Sequence, residues 1–141
     1  MRIAVLIALV AMASCESRPA FAEVSGVVLL DGQPMPEALV VFLPDPEQGT
    51  NGPRCSGITD AQGRFKLVRD DTGVGAVVGF HRVLVQDMRT FPPPREKHVG
   101  GKPPVMPPSR LSRRYENSGS TPLRQQVKAE TQSITLEVAG K

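Results

Sequence analysis

The sequence predicts an all-β protein: a seven-stranded antiparallel β-sandwich interrupted by one long proline-rich loop. Three observations carry that expectation. Runs of Val, Leu and Ile recur at spacings of about 10 residues, separated by Asp, Gly and Pro. The chain holds 13 glycines and 14 prolines, which suits tight turns and disfavours long helices. Beyond the N-terminal apolar run, no segment combines helix caps with a 3.6-residue apolar period.

Each element can be read from its residues. Residues 24–30 form the first strand, and Asp31-Gly32 is a turn dipeptide. Pro34 and Pro36 forbid a helix behind it. Residues 38–43 are apolar on both faces, the pattern of a strand covered on both sides. Pro, Asp, Gly and Asn make a loop of 44–53, and 54–59 is a third strand. In Asp60-Ala61-Gln62-Gly63, Asp60 can accept backbone N–H bonds and Gly63 can take a positive φ without a steric cost. Residues 64–68 then alternate, with Phe65 and Leu67 on one face and Arg64 and Lys66 on the other. Asp70-Asp71-Thr72-Gly73 is a further turn. Residues 76–86 are the longest strand; His81, Val83 and Val85 share one face, and Phe80, Arg82 and Leu84 the other. Residues 89–112 contain seven of the 14 prolines, so they read as an irregular or polyproline-like loop. Strands at 123–129 and 133–138 close the chain, the last with Ile134, Leu136 and Val138 in phase.

The N-terminus reads as an export signal. Arg2 precedes an apolar run from Ile3 to Ala13, far shorter than the roughly 20 residues a membrane-spanning helix needs. Two cleavage points fit the residues beyond that run. Met12-Ala13-Ser14-Cys15 resembles a bacterial lipobox, with Met where Leu is usual. Ala20-Phe21-Ala22 is an A-x-A site that would leave Glu23 as the new terminus. The first cut is preferred, because the second leaves a long polar stretch, including Glu16 and Arg18, between apolar run and cleavage point. On that reading residues 1–14 are the signal (1–22 on the alternative), and residues 15–23 are a lipidated Cys15 and its tether. Residues 24–138 are the domain. Stable anchoring takes at least two acyl chains, which a diacylglyceryl group on Cys15 supplies. The expected location is the cell envelope, membrane-anchored through that lipid, or periplasmic and soluble if the A-x-A site is used.

A domain of about 120 residues buries enough surface for one core. With no Trp and one Tyr, that core rests on aliphatic residues and five Phe. Of the two cysteines, Cys15 is lipidated or discarded, so Cys55 stands alone and reads as a small residue packed in a strand. Net charge is only +3, but cations crowd one stretch. Arg89, Arg95, Lys97, Lys102, Arg110, Arg113 and Arg114 are the candidate contacts there for anionic lipid, polysaccharide or an envelope protein. The plain alternative is a solvated loop. Export and the scarcity of aromatics argue against nucleic acid.

Val24-x-Gly26-x-Val28-x-x-Asp31-Gly32-x-Pro34 followed by Ala38-x-Val40-x-Phe42 resembles the opening of a carboxypeptidase regulatory-like (transthyretin-like, prealbumin-fold) domain. Thr59-Asp60-x-x-Gly63-x-Phe65 is similar to that family's next turn. Gly79-x-His81-x-Val83-x-Val85 resembles its Gly-x-Tyr-x-Val-x-Val strand, with His81 in the Tyr place. Pro108 through Tyr115, and Thr121-Pro122-Leu123 to Val127, are similar to the tail of small exported bacterial lipoproteins of the planctomycete type. The resemblance implies a Greek-key sandwich and a non-catalytic module that binds or spaces. Two relatives of the wider fold catalyse. Hydroxyisourate hydrolases need a C-terminal Tyr-Arg-Gly-Ser, whereas this chain ends Val138-Ala139-Gly140-Lys141. Intradiol dioxygenases need two Tyr, and Tyr115 stands alone.

The residues themselves point the same way. His81, in phase with two valines, reads as a half-buried, satisfied strand histidine, and His98 as a solvated loop residue. Asp31, Asp60, Asp70 and Asp71 read as turn caps, since no Asp-x-Asp-x-Asp-Gly run exists for calcium. No nucleophile elbow, phosphate loop or Cys/His cluster occurs. The expectation is a protein without cofactor, metal or catalytic residues. A carbohydrate-binding module is the second reading, weakened by the lack of Trp platforms, and a small-metabolite hydrolase the third.

Overall fold

The computed structural model describes residues 19–70, 73–92 and 102–141. The signal segment 1–14, Cys15, the first part of the tether, Arg95, Lys97 and His98 lie outside them. In chain order the strands are Phe21–Ala22 (β1), Val24–Leu30 (β2), Gln33–Pro34 (β3), Ala38–Pro44 (β4), Cys55–Ile58 (β5), Arg64–Lys66 (β6), Val68–Arg69 (β7), Ala76–Val77 (β8), Gly79–Asp87 (β9), Arg124–Val127 (β10) and Gln132–Val138 (β11). Three short 3₁₀ turns, at Pro46–Gln48, Met88–Thr90 and Arg113–Glu116, are the only helical pieces among the described residues. The all-β class therefore holds and each of the seven anticipated segments contains a strand, but the described residues carry eleven strands rather than seven, with short ones added at Phe21–Ala22 and Gln33–Pro34.

The strands form two main sheets in a sandwich-like arrangement. One has the order β10-β9-β4-β5-β7; the other sets β2 between β11 on one side and β3 and β6 on the other. A third, two-stranded pairing joins β1 to β8. The expectation of an antiparallel fold needs one correction. β11 runs parallel to β2, from Gln132 opposite Val24 to Val138 opposite Leu30. No hairpin joins these two strands, so no tight turn dictates their direction. The chain instead crosses from β10 in the other sheet, and the Gln132 N–H meets the Glu23 carbonyl (3.1 Å) where β2 begins. Residues 21 and 22, expected to lie in a tether, instead form a strand: Phe21 and Ala22 pair with Val77 and Ala76.

In 64–68 and 76–86 the alternation sorts side chains as expected, with Phe65, Leu67, Val83 and Val85 buried. Val24 and Val28 of β2, Ala38, Val40 and Phe42 of β4, and Val83 and Val85 of β9 fill the space between sheets, all at most 1% exposed. Gly57 sits where β5 crosses β6; a Cβ there would strike the Lys66 carbonyl, so only glycine permits the approach. The pattern of 38–43 predicted cover on both sides of that strand. Among the described residues only one side is covered. Leu39, Val41 and Leu43 lie half-buried on the outer face, beside Leu84.

Buried threonines close the gaps between strands. The Thr59 hydroxyl accepts the Ala38 N–H (2.8 Å) and donates to the Met35 carbonyl (2.7 Å), which seats Met35 in the core. The Thr121 hydroxyl donates to the Val83 carbonyl (2.6 Å). The proline-rich excursion is shorter than 89–112. Met88–Thr90 is a turn capped by Asp87, and Leu111 and Tyr115 are core residues over one end of the sandwich. Ser112 N–H donates to the Ala139 carbonyl (3.2 Å), and Ala139 N–H donates to the Tyr115 hydroxyl (3.2 Å). Thr59→Val keeps the shape but strands a buried N–H and a buried carbonyl. A loss of about 2 kcal/mol is expected, read as a lower urea midpoint with unchanged slope.

Candidate functional site

The basic stretch was the sequence's candidate contact surface, and the fold divides it. Asp87, at the end of β9, has no exposed surface. Its carboxylate needs compensation, since an ionised group out of water is costly unless paired. Arg110 supplies most of it. Its backbone N–H and Nε donate to Oδ2 (2.9 Å each), and Nη2 donates to Oδ1 (2.8 Å) and to the Pro36 carbonyl (2.8 Å). Arg89 adds a second guanidinium, with Nη2 at 3.3 Å from Oδ2. Burial by itself would raise the Asp87 pKa, but the hydrogen bonds from Arg110 and Arg89 outweigh it and hold the carboxyl well below its ordinary value.

Arg89 and Arg110 are thus both engaged within the fold, on Asp87. Arg114 is also engaged: its guanidinium carbon lies 4.8 Å from the Tyr115 ring centre, and Nη2 donates to the Tyr115 hydroxyl (2.8 Å). Lys102 and Arg113 are exposed. Between Lys102 and Pro108 the prolines stand in solvent around Val105, which is 96% exposed. An extended, proline-stiffened segment with an exposed apolar side chain loses little entropy when a partner grips it.

The reactive residue types are enclosed. Cys55 is fully buried on β5, paired between Phe42 of β4 and Arg69 of β7, and burial pushes its thiol up to about 12, out of reach of thiolate chemistry. His81 was expected to be half-buried and satisfied. It is fully buried, its ring tilted against Phe42 at 5.6 Å; Nδ1 lies 3.3 Å from the Gly79 carbonyl, while Nε2 has no partner among the described residues. The sequence placed His81 on the inward face but carried no signal of what each ring nitrogen would meet. Burial holds its pKa below the ordinary 6.5, with the Gly79 carbonyl opposing weakly.

Two concave surfaces lie on the five-stranded sheet. One, about 290 Å³, is lined by Leu39, Val41, Leu43 and Leu84 and closed by the Arg54–Asp70 pair (2.6 Å). The other, about 270 Å³, lies at the start of β9 between Asp45, Gln48, Phe80, His81 and Arg124. Neither was visible in the sequence, since each is assembled from residues on separate strands and loops. Among the described residues no cluster of three or more His, Cys, Asp or Glu could hold a metal, and no helix is long and apolar enough to cross a membrane. Compared with known proteins, the chain matches no family model, no curated protein and no solved structure. The class that the geometry defines is an all-β, sandwich-like domain with two concave surfaces on its five-stranded sheet.

Native Cys55 should resist iodoacetamide and react fully once denatured; rapid labelling of the folded chain would contradict the enclosed strand. Arg110→Ala leaves a buried carboxylate poorly paired and should cost about 3 kcal/mol in urea unfolding. Both lowered pKa values give stability that is present at neutral pH and lost on acidification. The His81 share should fall away as pH drops below 6.5, and the Asp87 share only below its ordinary 3.8. His81→Gln should flatten the curve between pH 7 and 5 while leaving the acid limb.

Proposed function

We propose that this protein is an exported, lipid-anchored, non-enzymatic module of the bacterial cell envelope, with a transthyretin-like Greek-key sandwich that binds or spaces an envelope component. The observation that carries the anchoring is the use the fold makes of residues 20–23. The Val78 N–H donates to the Ala20 carbonyl (2.8 Å), Phe21 and Ala22 pair with β8, and the Arg69 guanidinium lies 3.8 Å above the Phe21 ring. Gly75, at φ +86°, lets β1 approach; a Cβ there would strike the Ala22 carbonyl. Cleavage after Ala22 would strip this strand from the sheet. Cleavage before Cys15 keeps it and leaves a short tether.

The binding role is supported by what is exposed and what is enclosed. The thiol and imidazole are buried, and the Asp87 carboxylate is saturated by arginines. The segment Lys102 to Pro108, with Val105 outermost, and Arg113 beside it are free to meet a polymer or protein. Carbohydrate binding is a second reading, favoured by the cavity beside Phe80.

Mass spectrometry of the native N-terminus tests the anchor: an acylated Cys15 is expected, and a free Glu23 would overturn it. Deleting residues 92–108 should preserve the β-type circular dichroism and the melting transition, yet reduce retention on isolated envelopes beyond what the lipid provides. Unfolding on that deletion would show the segment to be part of the core.

A further inference from the structure

We propose that the cavity beside Phe80 is a saccharide site that takes a single acidic pyranose unit, a uronic acid. This rests on the carbohydrate-binding reading and is independent of export or lipidation. The platform comes first. The Phe80 ring is 42% exposed on the outer face of β9, where an apolar C–H face can stack on it. Its backbone is gripped on both sides: the N–H donates to the Thr50 hydroxyl (2.8 Å), and the carbonyl accepts the Asp45 N–H (2.9 Å). The backbone that carries the ring is therefore fixed before a ligand arrives.

Arg124 supplies the charge preference. It lies on β10 opposite Arg82, so its side chain emerges on the same face as Phe80. Nη1 is pinned by the Thr121 and Leu123 carbonyls at 2.7 and 3.1 Å. Nε and Nη2, the edge that matches a carboxylate bidentately, have no partner among the described residues, and no carboxylate pairs with Arg124 there. Arg82 does not compete, since Asp45 (3.4 Å) and Glu47 (2.7 Å) already hold it.

The remaining lining selects hydroxyls. The Gln48 amide offers a donor and an acceptor, and it projects from the turn that Asp45 caps by accepting the Glu47 N–H (3.2 Å). Groups that both donate and accept suit vicinal hydroxyls better than a simple anion. The Asp45 oxygens already accept from Arg82 (3.4 Å) and the Glu47 N–H (3.2 Å), which weakens their pull on a ligand ammonium. A volume of about 270 Å³ suits one ring rather than a drug-sized ligand.

The test is amide NMR titration of the purified chain with sodium D-glucuronate, D-glucose and sodium acetate. Glucuronate should give saturable shifts at Gln48, Phe80 and Arg124 with a Kd on the order of 1 mM. Glucose should bind at least tenfold more weakly, and acetate should not saturate. Arg124→Gln should lower glucuronate affinity to that of glucose, and Phe80→Ser should weaken both; both side chains are exposed, and a melt confirms each variant folds. Equal binding of acetate, saturable shifts confined to other residues, or no shifts with glucuronate would overturn the proposal. None of these results bears on the acylation of Cys15, which mass spectrometry scores separately.

Discussion

The buried carboxylate of Asp87 is the constraint around which one end of the molecule is organised. It sits at the last position of the longest strand, without exposed surface, and cannot stay ionised there without cations. Arg110 reaches it from the far side of the proline-rich excursion and also clasps the Pro36 carbonyl. One ion pair thereby joins β9, the approach to β4 and the returning chain. The next residue, Leu111, then enters the core and bridges to Gly140, so the C-terminus is locked by the same contact. Paired guanidiniums with planar geometry suit this task better than lysines, whose point charge cannot span both carboxylate oxygens.

This arrangement turns a composition feature into an architectural one. A stretch with so many prolines and cations looks in sequence like a uniform basic loop. Folding separates it into an anchored beginning at Arg89, an exposed middle that includes Lys102 to Pro108, and a docked end from Arg110 to Tyr115. Arg89 and Arg110 thus hold the two feet of the excursion to the sandwich through Asp87.

The other end of the molecule depends on backbone contacts. Thr50 and Asp45 hold the start of β9, and β1 covers β8 through contacts that Gly75 makes possible. The cavity beside Phe80 lies among these elements, between the Pro46–Gln48 turn and the β9–β10 pair.

By itself the sequence determined the all-β class, seven segments that each carry a strand, and the shared faces of Phe65 with Leu67 and of His81 with Val83 and Val85. Those arise from period-two alternation and from Gly, Pro and Asp at corners, and both are local properties of the chain. Gly63 at its turn, with φ +73°, and Asp60 accepting the Gln62 and Arg64 N–H groups were legible for the same reason. The parallel course of β11, the Asp87–Arg110 pair, the unpartnered nitrogen of His81, the place of β1 and the Phe80–Arg124 cavity were decided only by the tertiary structure. Each brings together residues far apart in the chain, and no local pattern reports which distant groups will meet once the strands are stacked.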